Sequence, residues 1–99
     1  MKVSYSPRAV RQITQAFDYI AQDNQAAADA FLRRVEEVVS LLALRPGIGR
    51  RTRKPEVQVV GLRPYRYLMF YKVLDRNDEI RVIRVRHTSR RDAADVRGL

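Results

Sequence analysis

Asp18-Tyr19-Ile20-Ala21-Gln22-Asp23-Asn24-Gln25-Ala26-Ala27-Ala28-Asp29 is the break between two helices, and the fold follows from it. Upstream, Val10, Ile13, Phe17 and Ile20 recur at helical spacing and predict one apolar stripe that runs to about residue 22. Downstream, Ala28, Phe31, Val35, Val38 and Leu42 predict a second stripe. Asp23-Asn24 interrupts the pattern, and either residue can cap the second helix through its side-chain oxygen. With so short a connection the two stripes must face each other or a common sheet, as an αα-hairpin. Asp29 and Arg33 stand at i,i+4 and predict an ion pair.

On the N-terminal side, Ser6-Pro7 reads as the start of the first helix. Serine accepts from orphan backbone amides, and proline suits the first turn. Residues 2–5 alternate as a short strand. On the C-terminal side, Arg45-Pro46-Gly47 should end the second helix, because the residue before proline is pushed out of the helical region. Residues 45–55 then read as a basic loop with two glycines and two prolines. Gly47-Ile48-Gly49 lacks the lysine and spacing of a phosphate loop, and helix termination explains its glycines.

Three strand-like runs follow. Glu56–Leu62 alternates, and Gly61 marks a bend or bulge. Arg66–Leu74 is apolar on both faces, with Tyr67, Met69 and Tyr71 against Leu68 and Phe70, which predicts a central strand. Asp75-Arg76-Asn77-Asp78 is a hairpin turn by composition. Glu79–Arg86 is rich in β-branched residues. The tail, 87–99, is polar and reads as a short helix or an unstructured end. The order β-α-α-β-β-β predicts one α+β domain over residues 1–99, with the hairpin packed on a largely antiparallel sheet.

Charge is divided along the chain. The formal net charge is +9. Residues 1–44 carry five basic and five acidic side chains, whereas residues 45–99 carry fifteen against six. The strand-bearing half is therefore one cationic surface that calls for an acidic partner: nucleic acid, ribosome or acidic protein segment. Five of its cations fall within residues 45–55, where their mutual repulsion favours a partner over a solvated linker. There is no cysteine and a single histidine, His87, so neither a thiol nucleophile nor a metal cluster is expected, and no cofactor. The N-terminus lacks a signal-like apolar run, and no stretch is long enough to cross a membrane. A soluble, cytoplasmic protein is the expectation. Neither hairpin helix has a basic face, which argues against a simple nucleic-acid-binding domain.

Four segments taken together resemble the RelE/ParE superfamily of type II toxin–antitoxin toxins. They are Tyr19–Asn24 with Ala26, Ala27 and Phe31; Leu44–Arg50; Pro64–Leu68 with Phe70 and Tyr71; and Ile83–His87 with Arg90 and Asp92. The resemblance implies a toxin neutralised by a cognate acidic antitoxin. ParE-like members inhibit DNA gyrase by binding; RelE-like members cleave mRNA on the ribosome. The long hairpin and the closing Val85-Arg86-His87…Arg90-Arg91-Asp92 look more like ParE. That favours a gyrase inhibitor over an enzyme, with the mRNA endoribonuclease as the alternative.

The two branches place different demands on the same residues. Cleavage needs a base for the 2′-hydroxyl, positive charge on the phosphate and help for the leaving oxygen. By resemblance to RelE these roles would fall to Arg66, Arg86, His87 and Arg90, with leading basic positions drawn from Arg51, Arg53 and Lys54. No tyrosine follows Tyr71, so His87 is the conventional acid–base group there, and arginine does not give up its proton. On the ParE-like reading no residue shuttles protons. Arg50, Arg51, Arg53, Lys54, Arg66, Arg84, Arg86, Arg90 and Arg91 then form a target- or antitoxin-facing surface. Simpler roles stand beside these: a hydrogen-bonded His87 at a strand end, Arg66 paired with a carboxylate, and Tyr67, Met69 and Tyr71 as packing.

Overall fold

The computed structural model describes residues 1–89; residues 90–99, with Arg90 and Arg91, lie outside the described residues. Ser6 starts the first helix as its sequence demands. Its hydroxyl accepts from Ala9 N–H at 3.0 Å and donates to Ile83 O at 3.1 Å, so one side chain caps α1 (Pro7–Asp23) and moors it to a strand. Asn24 is the cap of α2 (Gln25–Leu44), accepting from Ala27 N–H at 3.0 Å. Arg45, ahead of Pro46, ends α2, and a 3-10 turn follows at Pro46–Ile48.

Among the described residues five strands make one sheet: β1 (Lys2–Tyr5), β2 (Arg50–Arg51), β3 (Val57–Gly61), β4 (Tyr67–Leu74) and β5 (Glu79–His87). Their spatial order is β1-β5-β4-β3-β2. β1 runs parallel to β5, and every other pairing is antiparallel. β4 is central, as its two apolar faces require. Tyr67, Met69 and Tyr71 join the helix-side core, while Phe70 and Leu68 join Val57, Val59 and Ile83 in a smaller cluster across the sheet. Phe31, fully buried, is the hub between layers. Its ring lies 5.5 Å from Tyr65 and 5.3 Å from Tyr67.

Several details differ from the sequence reading. The buried line of α1 is Ala9 and Ala16; Ile13, Phe17 and Ile20 are half-buried and Val10 is 50% exposed. The reason is proximity. α1 is tied to β5 through Ser6 and through Gln12, whose Oε1 accepts from Val85 N–H at 2.7 Å, and only small side chains fit beneath a helix held so close. Asp29 accepts from Gln25 at 3.1 Å in place of the expected pair with Arg33. Residues 45–55 are not all loop, since Arg50 and Arg51 pair with Val59 and Gln58. Arg66 precedes β4 and is not part of it, and His87 ends β5 instead of opening the tail. The irregularity expected at Gly61 occurs in β5. Phe70 pairs with Arg84 and Tyr71 with Val82, so Ile83 is the extra residue.

Candidate functional site

Register places the basic residues. Arg50 pairs with Val59, Val59 with Phe70, and Phe70 with Arg84, which makes one row across four strands. The next row joins Gly61, Leu68 and Arg86. Adjacent strands lie about 4.8 Å apart, so the Arg50 and Arg84 backbones stand roughly 14 Å from each other. Between them lies the apolar strip of Val59, Phe70 and Leu68, on the side of the sheet away from the helices. Arg86 lies over the Phe70 ring at 5.6 Å and donates to His87 O at 3.0 Å. Arg84 is buried at 6% exposure. Lys72 and Arg81 pair across β4 and β5 on this same face. Sequence reading left both out of the candidate surface, although Arg81 stood with Arg84 and Arg86 on the last strand and the two-residue period that links Lys72 to Phe70 was there to count.

The expected site residues do not converge on one point. Arg50 and Arg51 are exposed on the edge strand. Arg53 and Lys54 lie in a turn organised by Thr52, whose hydroxyl accepts from Lys54 N–H at 3.1 Å and reaches Val57 O at 3.0 Å. Arg66 is exposed at the opposite end of that face. Its carbonyl accepts from Thr88 N–H at 2.9 Å, which brings it beside His87. Arg50, Arg63 and Arg66 rim an open cleft of about 700 Å³. A second cleft, about 370 Å³, separates α1 from the end of β5 and is lined by Gln12, Tyr19, Tyr67, Arg86 and His87.

His87 is held tightly. Its Nδ1 accepts from Ser89 N–H at 3.1 Å and lies 2.8 Å from Ser89 Oγ, and its ring meets Tyr67 edge to face at 5.1 Å. A backbone amide can only donate, so Nδ1 carries a lone pair and the neutral ring keeps its proton on Nε2. The one basic lone pair is thereby engaged. This arrangement suits a strand-end clasp better than a general base. Among the described residues no cluster of histidine or carboxylate groups is placed to hold a metal.

The fastening of the basic edge lay beyond sequence reading. Tyr71 is fully buried in β4, yet its hydroxyl donates to Pro46 O at 2.8 Å and accepts from Gly49 N–H at 2.9 Å. Burial raises the phenol above its ordinary pKa, and the Gly49 hydrogen bond opposes that shift in part. A Cβ on Gly49 would stand 2.8 Å from Tyr71 Cε1 and 2.9 Å from Cζ. Glycine is needed here for close approach, since its φ of −71° is open to any residue.

On the helical side an apolar groove of about 260 Å³ runs between α1 and α2, lined by Tyr5, Val10, Ile13, Leu32 and Val35. Glu36 borders it. Burial, and then the charge of Glu36, raise the Tyr5 phenol. The half-exposed Val10 belongs to this groove.

A hairpin on a five-stranded sheet, an open apolar groove along it and a cationic far face are now in view. The family described as ParE toxin of type II toxin-antitoxin system, parDE, matches residues 3–92. The chain belongs to the ParE toxin family. No curated protein matches it in sequence. Among solved structures it is similar to the chromosomal ParDE toxin–antitoxin system of P. aeruginosa, at TM-score 0.73 and 20% identity over 88% of this chain and 95% of that one. It is also similar to the intact E. coli RelBE toxin–antitoxin complex, at TM-score 0.64 and 16% identity over 91% and 98%. Isolated E. coli RelE aligns at TM-score 0.64 and 15% identity over 98% and 93%. At such identities these likenesses are of fold. The α+β architecture of this ParE-family toxin is thus shared with the ParDE and RelBE structures. No helix among the described residues is long and apolar enough to cross a membrane.

Proposed function

We propose that this ParE-family toxin inhibits DNA gyrase by binding and is neutralised by a cognate acidic antitoxin. Its match to the ParE toxin family across residues 3–92 carries the reading. The chemistry of the C-terminal strand supports it. His87 has its lone pair engaged by Ser89, and the neighbouring cations are arginines, which donate hydrogen bonds and accept none. On this reading Arg50, Arg51, Arg53, Lys54, Arg66 and Arg86 act by charge and shape, whereas Arg84, expected on the same surface, is buried within the sheet and is not part of it. Arg90 and Arg91 extend the same charge in sequence.

The antitoxin fits the helical side. An amphipathic helix laid in the groove would cover Val10, Ile13, Leu32 and Val35, and its acidic continuation would meet the cationic half of the chain. A segment of that kind is disordered alone and folds on contact. Opposite charges should make association fast and salt-sensitive.

One observation favours the RelE-like alternative, a ribosome-dependent mRNA endoribonuclease: Arg50, Arg63 and Arg66 rim one open cleft, where phosphates could be held. Induced expression in a bacterial host separates the two, with plasmid supercoiling and mRNA integrity followed in the same culture. The proposal requires lost supercoiling with intact mRNA. Discrete mRNA cuts with normal supercoiling would establish the alternative.

A further inference from the structure

The end of α2 carries an apolar surface that neither the core nor the groove uses. Leu44 is 81% exposed, Leu41 45% and Ile48 42%. They follow one another from the last helical turns into the 3-10 turn, and Gly49 leads directly into the exposed Arg50 and Arg51. Arg45 stands among them as the helix cap. Tyr71 fixes this knuckle by holding both Pro46 O and Gly49 N–H. Three aliphatic side chains on a pinned corner beside three arginines form an ordered patch.

The knuckle is separate from the groove. Helical residues turn about 100° each, which sets Leu41 and Leu44 on the side of α2 away from Leu32. Arg34, on the side of Leu41, binds Arg63 O at 2.6 Å, which orients that side toward the loop before β4 and away from α1. A helix seated in the groove therefore leaves the knuckle uncovered.

We infer that the knuckle formed by Leu41, Leu44, Ile48, Arg45, Arg50 and Arg51 is the face that docks the toxin's protein target, through an acidic segment of that target with aliphatic anchors. This rests on the reading of the chain as a toxin that acts by binding. Charge complementarity selects an acidic occupant, and a second copy of this +9 chain is repelled. The leucines select protein over nucleic acid, because a phosphate surface rewards arginines and offers bare aliphatics nothing. A small apolar centre rimmed by arginine is the usual form of an interface whose energy lies in few residues.

The test compares wild type with Leu41→Ser/Leu44→Ser, with Leu44→Ser alone, and with Arg50→Glu/Arg51→Glu, at matched levels and equal melting temperature. Each is scored for growth arrest on induction, for rescue by co-expressed cognate antitoxin, and for binding to purified gyrase. Loss of arrest by roughly tenfold or more in both the leucine and the arginine variants is expected. Arrest at the wild-type level in the leucine variants would overturn the inference. So would loss confined to the arginine variant, which would indicate a nucleic-acid contact, and so would wild-type arrest that antitoxin no longer rescues. Should wild type arrest growth without binding gyrase, the gyrase reading fails, while lost arrest in the knuckle variants still upholds the docking face.

Discussion

Replacing Tyr71 by Phe removes one oxygen from the core and tests how the cationic edge is held. Two bonds go with it, to Pro46 O at 2.8 Å and from Gly49 N–H at 2.9 Å. A net intramolecular hydrogen bond contributes about 1 kcal/mol, and a buried group left unsatisfied costs more. Pro46 and Gly49 are only half-buried, so water can reach the orphaned groups and the lower end applies. A loss of roughly 1–3 kcal/mol follows, which for a domain of this size lowers Tm by about 4–8 °C per kcal/mol. Urea denaturation should show a lower midpoint at unchanged slope. Amide exchange should accelerate at Gly49 and Arg51 while β4 and β5 stay protected. The phenol adds a pH signature. Because its pKa is raised in the folded state, its contribution is intact below its ordinary value of 10.0 and fades as pH rises through the folded value. Tyr71→Phe should therefore flatten part of the alkaline loss of stability. Gly49→Ala attacks the same contact from the other side by forcing a Cβ into the ring, so the double variant should cost less than the two singles together. A Tyr71→Phe protein with wild-type Tm and wild-type exchange at residues 49–51 would refute the fastening.

Phe31→Ala should cost about 3–5 kcal/mol, since the ring is fully buried against Tyr65 and Tyr67; an unchanged melting temperature would show that it is not the hub. Glu79 is lowered below its ordinary pKa, chiefly by the Ser4 hydroxyl and then by Arg81, so its contribution is present above pH 4.5 and is lost as pH falls through the folded value. Ser4→Ala should accordingly make acid unfolding less steep, as followed by circular dichroism. His87→Gln should leave growth arrest largely intact, because no proton transfer is assigned to it. Ribosome-dependent cleavage that is present in wild type and falls by about 10²–10⁴ in the variant would reverse the assignment.

How far the sequence could be read depends on whether the signal was local. Ser6, Pro7, Asn24 and Pro46 mark helix ends because capping and the proline ring act within a few residues, and each does so in the structure. The two faces of Tyr67–Leu74 announced the central strand because a two-residue period needs no knowledge of neighbours. The burial of α1 was misread on the same logic. Periodicity marks an apolar stripe but does not say that Ser6 and Gln12 bring the helix so near β5 that Ala9 and Ala16 go inside, while Val10 is left to line a groove.

The order of the two helices and of four of the five described strands, the sign and location of the charge, and the lack of a thiol or a histidine cluster were thus set by the sequence alone, since propensity, capping and net charge are local or additive. Tertiary structure decided the rest. Register brought Arg50 into one row with Arg84, residues 34 positions apart in the chain. A single amide from Ser89 came to rest on Nδ1 of His87, two residues back and across the strand end. A phenol in the middle of β4 fixed the corner on which Leu44 and Arg50 stand. Each of these rests on a contact between residues whose proximity only the packing of the hairpin and the pairing of the strands creates, and hydrogen bonds and charge act over a few ångströms whatever the distance along the chain.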